Sequence, residues 1–165
     1  MSYFSRRKIL AWVALAATAG CGFSPAYAPG GAGVALQNNI EAAAPTDKLA
    51  FDLVERLEER LGPAQAPRFA LDYKISTARD GVAITPDNAT TRFNLTGSVD
   101  WTLSDKTTGT RLTGGRVDNF TSYSATGSTV AGLSAEEDAQ LRLMRILADQ
   151  IVSRLLATSE QWAKE

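Results

Sequence analysis

The chain of 165 residues contains no histidine and only one cysteine, Cys21. Histidine is the usual base that activates a catalytic serine or cysteine, and it is the commonest metal ligand in proteins. Its absence argues against Ser-His-Asp catalysis, Cys-His catalysis and the most frequent kind of metal site. A single cysteine cannot form an internal disulfide bond. These two absences restrict the function more than any motif that is present.

The chain also has no excess of basic residues. It carries 17 basic and 18 acidic residues, which gives a formal net charge of −1. Three of the 17 basic residues, Arg6, Arg7 and Lys8, lie in the leader segment described next, and without them 14 remain against 18 acidic residues. A net charge of −4 provides no overall attraction to nucleic acid, so nucleic acid is not an expected partner.

The apolar run from Ile9 to Ala17 is too short for a transmembrane helix, which needs about 20 residues. Three basic residues precede it, and the small residues Thr18-Ala19-Gly20 lie between it and Cys21. A charged segment, a short apolar run and small residues before a cleavage point are typical of an export signal. We therefore predict a signal peptide over residues 1–20.

The segment that ends at Cys21 resembles a lipobox, in which small residues precede a cysteine that receives lipid. Thr18 departs from the usual pattern, where leucine is commoner. The resemblance implies covalent diacylglycerol and an N-acyl chain on Cys21, with no other cofactor. The alternative is an ordinary secretory signal with an incidental cysteine. Arg6-Arg7 leaves open whether export follows the general or the twin-arginine route.

Residues 21–33 are rich in glycine, proline and alanine, and they predict a flexible tether behind the lipidated cysteine. The remaining residues, 34–165, suit a single α/β domain with its own core. Residues 34–41 are its first predicted strand. Thr46 is then the predicted N-cap of an amphipathic helix that ends at Gly62-Pro63.

Three strands are predicted next, because apolar and polar residues alternate from Phe69 to Ile75, from Phe93 to Leu103 and from Thr110 to Ser124. Asp80-Gly81 predicts a turn, as do residues 105–109, and Gly114-Gly115 predicts a bulge. A closing helix follows, for which residues 134–137 form a capping box. The predicted fold is α+β: a two-layer α/β sandwich with two helices on one face of a four-stranded mixed sheet, in the order β-α-β-β-β-α.

Several basic residues are expected on the polar side of this sheet or at the ends of its strands. Arginine binds phosphate through two parallel hydrogen bonds, so this surface is a candidate for contact with a phosphorylated lipid. The alternative is that outward strand positions are polar in any case and that basic residues protect sheet edges. The residues are Arg68, Lys74, Arg79, Arg92, Lys106, Arg111 and Arg116.

The segment Cys21-Gly22-Phe23-Ser24-Pro25-Ala26-Tyr27 resembles the mature start of the lipopolysaccharide-assembly lipoprotein family, LptE. In that family Gly-Phe and a nearby proline commonly follow the lipidated cysteine. The closing helix is similar as well. It opens at Asp138-Ala139 and carries Leu147-Ala148, Ile151 and Arg154-Leu155 at the family's spacing.

The resemblance implies an outer-membrane lipoprotein of Gram-negative bacteria that has no enzymatic reaction. Its partners would be the β-barrel protein LptD, which it plugs and helps to assemble, and lipopolysaccharide, which it helps to deliver to the cell surface. Arg79, Arg92 and Lys106 are the candidate lipopolysaccharide-binding residues. Two alternatives remain, namely a lipid-anchored scaffold of another envelope assembly machine and an envelope hydrolase. The missing histidine argues against the second.

Overall fold

The computed structural model describes residues 31–84, 90–126 and 128–162. The predicted signal peptide, Cys21 and the tether as far as Gly30 lie outside the described residues. The helices and strands are α1 (Ala32–Leu36), β1 (Ile40–Ala42), α2 (Lys48–Leu61), β2 (Phe69–Ile84), β3 (Thr90–Asp105), β4 (Arg111–Ser124) and α3 (Thr129–Trp162).

The four strands form one mixed sheet in the order β1-β2-β3-β4. β1 runs parallel to β2, while β2, β3 and β4 are successive antiparallel neighbours. Helices α2 and α3 pack on the same face of this sheet and against each other. The predicted α+β class, the mixed four-stranded sheet and the order of its main elements are therefore confirmed.

The core lies between the two helices and one face of the sheet. On β3 the buried apolar side chains are every second residue, with Leu95, Val99 and Leu103 facing the helices. On α3 the side chains of Leu147 and Ile151 are fully buried against them. Apolar residues thus recur every two residues along the strand and about every 3.6 residues along the helix. These spacings place them on the two surfaces that face each other.

The predicted first strand is only partly right. Residues 34–36 belong to the short helix α1, and the strand is limited to residues 40–42. Leu36 and Ile40 are the buried anchors on either side of a turn in which Asn38 has a φ of 59°. The apolar character that suggested a continuous strand therefore comes from two short elements that contact the same core.

The start of α2 is one residue later than predicted. Asp47, and not Thr46, is the N-cap, because its carboxylate accepts a hydrogen bond of 2.8 Å from the backbone N–H of Ala50. The predicted end is confirmed. Gly62 caps the helix at a φ of 80°, a conformation that glycine adopts readily.

The predicted turn at Asp80-Gly81 is wrong, because β2 continues through both residues. They pair in register with Asn94 and Phe93 of β3, and the ladder becomes irregular only between Gly81 and Ile84. Pairing with a long partner strand outweighs the local turn preference of this dipeptide. The turn at 105–109 is confirmed: Gly109 has a φ of 69° and donates its N–H to the carbonyl of Asp105.

Two further local predictions are wrong. Gly114 and Gly115 pair regularly with Thr102 and Trp101, and the irregularity of this ladder lies two residues earlier, beside Leu112. The closing helix begins at Thr129 and not at Ser134, because the hydroxyl of Ser128 accepts a hydrogen bond from the N–H of Ala131 and adds an N-terminal turn. Ser134 therefore lies inside the helix.

Candidate binding surface on the open face of the sheet

The sheet has one face that carries no helix among the described residues, and we call this the open face. It is formed by the even-numbered residues of β2, β3 and most of β4, which the register aligns in rows across the sheet. Glu41 of β1 aligns with Ala70, and the register shift beside Leu112 aligns Arg111 with Ser104, so both join this face. One row is Lys74, Asp100 and Arg116, and the next is Ser76, Ser98 and Asp118.

The charges of the open face balance. Acidic and basic side chains are intermixed in equal number, so the face has no excess of positive charge. Its basic residues are Lys74, Arg92, Lys106, Arg111 and Arg116, and its acidic residues are Glu41, Asp72, Asp80, Asp100 and Asp118. Such a face supports hydrogen bonding to a polar partner better than it supports general attraction to a polyanion.

A shallow depression of about 680 Å³ lies at the middle of the open face. Arg116 crosses its floor, donating a 2.8 Å hydrogen bond to the hydroxyl of Ser98 and lying 3.5 Å from the carboxylate of Asp100. Phe120 borders the depression with 61% of its surface exposed. The depression therefore offers one apolar ring beside hydroxyl groups and a partly paired guanidinium.

Arg79 lies on the helix side of β2 and not on the open face, which corrects its expected position at the end of a strand. Its guanidinium donates to Glu136 of α3 at 3.0 Å and to the hydroxyl of Tyr123 at 3.4 Å, and it lies 4.9 Å from the centre of the Phe93 ring. The hydrogen bond with Tyr123 and the charge of Glu136 raise the pKa of Arg79 above its ordinary value.

Arg92 and Lys106 lie at opposite ends of the open face. Arg92 donates to the hydroxyl of Ser122 at 3.2 Å and has no carboxylate within 4 Å among the described residues. Lys106 lies in the turn after β3 and forms an ion pair with Glu41 of β1. Fourteen residues at roughly 3.3 Å each separate them along the chain, so one phosphate group cannot contact both.

The structure thus does not bring the three candidate residues together. Arg79 and Arg92 lie towards the same end of the sheet but on opposite faces, and Lys106 is at the other end. The sequence indicated the hydroxyl-rich surface to which Ser98 belongs, but it did not single out Phe120. The signal for Phe120 was present, because it and Leu112 are the two large apolar residues in the even-numbered series of β4, and Leu112 packs against the core beside the register shift.

Two glutamates of the helices form ion pairs with arginines. Glu59 pairs with Arg56 and Glu136 pairs with Arg79. Within residues 31–84, 90–126 and 128–162, no group of three or more cysteine, aspartate or glutamate residues is placed to hold a metal ion. None of the helices in these ranges is both long enough and apolar enough to cross a membrane.

Solved structures with the same fold include three lipoproteins. A candidate lipoprotein from Caulobacter crescentus is 24% identical, with a TM-score of 0.66, over 78% of this chain and 96% of that one. Rare lipoprotein B from Shewanella oneidensis is 15% identical, with a TM-score of 0.55, over 74% and 96%. A minor lipoprotein from Acinetobacter baumannii is 20% identical, with a TM-score of 0.54, over 73% and 90%. At these identities the likeness shows a shared fold.

No curated protein sequence matches the chain. A family model does match, that of LptE, which is described as lipopolysaccharide-assembly, and the match covers residues 34–155. It extends from α1 to the last turns of α3 and so includes every strand of the sheet. The chain therefore belongs to the LptE family of lipopolysaccharide-assembly lipoproteins, as its sequence had suggested.

Proposed function

We propose that this protein lies in the lumen of the outer-membrane β-barrel LptD, helps that barrel to assemble and assists the delivery of lipopolysaccharide to the cell surface. The family match over residues 34–155 carries the proposal. The protein would act by binding and not by catalysis, as the missing histidine also suggests.

The exterior of the domain supports this role. The lumen of a large barrel is polar and hydrated, so a plug needs a folded exterior without extended apolar patches. The open face meets that requirement with intermixed charges of both signs and with hydroxyl groups. Among the described residues, six large apolar side chains are exposed, and they are spread over five elements, with Val130 and Leu133 sharing α3. They are Val34, Phe51, Val82, Phe120, Val130 and Leu133.

Lipid on Cys21 would hold the domain at the outer membrane. Of the predicted tether, residues 22–31 precede α1 and would span up to about 33 Å when extended, at roughly 3.3 Å per residue. α1 begins at Ala32, so the chain enters the domain close to Leu36, which is buried in the core. The anchor would therefore fix the location of the domain at the membrane.

Among the three candidate residues, Arg92 is the best placed to bind a phosphate of lipopolysaccharide. Its guanidinium is exposed and its described partner is a neutral hydroxyl. A phosphate that bound to Arg79 or Lys106 would have to displace Glu136 or Glu41. We therefore expect Arg92 to contribute more to lipopolysaccharide affinity than the other two.

The barrel interaction is tested by purifying the tagged, natively lipidated protein from a mild detergent extract and identifying every chain that is recovered with it. The control is residues 1–33 fused to an unrelated domain, which keeps the leader and anchor and removes the α/β domain. We expect a large outer-membrane β-barrel at near-equal stoichiometry with the protein and not with the control. Recovery with only inner-membrane or peptidoglycan-associated partners would instead support a scaffold for another envelope machine.

The phosphate contact is tested separately by titrating the purified protein with lipopolysaccharide. Arg92→Ala should weaken binding about tenfold, because a hydrogen bond between charged groups contributes roughly 1.5–3 kcal/mol. Arg145→Ala is the matched control, since Arg145 is an exposed arginine of α3. If the two variants bind lipopolysaccharide with equal affinity, Arg92 is not part of the binding site. That result would not bear on the proposed interaction with the barrel.

A further inference from the structure

Most of one edge of β2 has no partner strand among the described residues. β1 pairs only with residues 69–71, and the last backbone contact on this side is the N–H of Ala43 donating to Leu71. Since Phe69 and Leu71 direct their backbone groups to β1, the following odd-numbered residues direct theirs to the same side. The N–H and C=O groups of Tyr73, Ile75, Thr77 and Arg79 therefore face an open edge.

The other edge of the sheet, on β4, is partly closed. A guanidinium nitrogen of Arg154 on α3 donates to the carbonyl of Arg116 at 2.6 Å. The side chain of Asn119 accepts a 2.8 Å hydrogen bond from the N–H of Phe120. Folded proteins usually protect their edge strands against pairing with other chains. The comparable groups of β2 have no such caps among the described residues, which indicates that β2 pairs with another strand.

The unpaired segment of β2 has a midpoint at which a two-fold axis can lie. It starts at Tyr73, the first residue beyond β1, and ends at Gly81, where the regular ladder of β2 becomes irregular. Thr77 lies midway between these two residues. A bulge bends a strand, so a second β2 paired here can leave the edge before it reaches β1.

The charges on β2 favour a second copy of the same strand in one register. If Thr77 lies on a two-fold axis, antiparallel pairing places Lys74 opposite Asp80 of the other copy, and it does so twice. A two-fold axis at Ile75 places no opposite charges together, and one at Arg79 places that arginine against its own copy. Lys74 and Asp80 are both exposed and neither has an ion-pair partner within 4 Å in the described part of the chain.

We propose that the protein, when it is free of other partners, forms a two-fold dimer in which residues 73–81 of two β2 strands pair antiparallel around Thr77. The two four-stranded sheets then form one continuous sheet. The backbone groups of the odd-numbered residues form the hydrogen bonds, and the Lys74–Asp80 pairs set the register. This dimer does not depend on the barrel interaction, so either proposal can fail without the other.

Disulfide trapping tests the position of the axis. In the full chain with Cys21→Ser, a single Thr77→Cys substitution should give a covalent dimer on mild oxidation, because paired residues of this type have Cα atoms about 5.5 Å apart. Asp118→Cys, an exposed position on β4, is the matched control and should stay monomeric. Lys74→Cys and Asp80→Cys should each cross-link poorly alone and form a mixed dimer together.

Charge reversal tests the register without a cross-link. Sedimentation of the full chain should show that Lys74→Asp or Asp80→Lys weakens the dimer at least about tenfold, since each creates two like-charged pairs. The double variant Lys74→Asp/Asp80→Lys should restore the association, which a merely unfolded variant would not do. A monomeric wild-type chain that Thr77→Cys does not trap would overturn the proposal. A dimer whose affinity is unchanged by both charge reversals would overturn it too. So would a disulfide bond that joins Thr77→Cys to a different protein in cells.

Discussion

Asp149 of α3 accepts two parallel hydrogen bonds from Arg56 of α2, at 3.1 and 3.0 Å. Arg60, one turn further along α2, donates a third bond to the same carboxylate at 2.9 Å. The bonds to Asp149, followed by those to Glu59, raise the pKa of Arg56 above its ordinary value. This cluster joins the two helices on the side away from the sheet and fixes their relative position.

We expect the Arg56–Asp149 pair to contribute measurable stability although both side chains are partly exposed. In a double-mutant cycle with Arg56→Ala and Asp149→Ala, the coupling in the free energy of unfolding should be about 1 kcal/mol, because the pair is bidentate. Urea denaturation measures it. The exposed pair Arg142–Asp138 on α3 is the control, for which roughly 0.3–0.5 kcal/mol is expected. Equal coupling free energies in the two cycles would show that the bidentate geometry at Asp149 does not strengthen the ion pair.

Gly97 allows α3 to approach the sheet closely. A Cβ at this position would lie 2.9 Å from a methyl group of Leu143 and 3.2 Å from Leu147. Gly97→Ala should therefore lower the free energy of unfolding by about 1–3 kcal/mol through overpacking. The control is Gly115→Ala, where the nearest atom is 3.5 Å away and little change is expected. Thermal or urea unfolding of the two variants distinguishes them, and equal stability would place the helix further from β3.

Asp105 makes the stability of the fold depend on pH in the acid range. Hydrogen bonds from the N–H groups of Thr108 and Thr107, with a smaller effect of Arg68, lower the pKa of its carboxyl group. A lowered folded-state pKa means that this stabilisation is complete above the unfolded value of about 3.9 and is lost as pH falls through the lower folded value.

Asp105→Asn should remove this part of the pH dependence. The amide oxygen can still accept the backbone hydrogen bonds, but it cannot be protonated in this range. Urea unfolding between about pH 2 and 6 should show a smaller loss of stability at low pH in the variant than in the wild type. Parallel curves for the two proteins would mean that Asp105 is not a source of the acid sensitivity.

Cys21→Ala should release the protein from the membrane without unfolding its domain. The core described from Leu36 to Trp162 is built from apolar side chains of the α/β domain, and we expect it to form without the lipid, so circular dichroism and the unfolding midpoint should be unchanged. Fractionation of the cells measures the location. If the variant stays with the membrane when no partner holds it there, lipid on Cys21 is not the anchor.

The long, regular elements could be predicted from the sequence. The spacing of Leu53, Leu57 and Leu61 placed α2, and the alternation around Val99 and Leu103 placed β3, because burial on one face leaves a regular pattern. The boundaries were less accurate. Ser128 and Ser134 are both suitable N-caps, and only the contacts of the added first turn of α3 decide between them.

The candidate site was harder to predict than the fold. Alternation identifies a residue's face only if the strand is known to continue, and the supposed turn at Asp80-Gly81 concealed that Arg79 faces the helices. The pairing of Arg79 with Glu136, and of Lys106 with Glu41, joins residues far apart in the chain. No local pattern in the sequence indicates such pairs. The sequence therefore showed which residues were basic, but not which of them already form ion pairs within the domain.

Depletion of this protein in the cells that produce it, followed by measurement of newly made lipopolysaccharide at the cell surface, tests the proposed function most directly. We predict that surface lipopolysaccharide falls and that the β-barrel partner fails to mature, and that the wild-type chain restores both. A chain carrying Leu147→Asp should restore neither, because a buried unpaired charge prevents folding. Unchanged surface lipopolysaccharide and a mature barrel after full depletion would contradict the account.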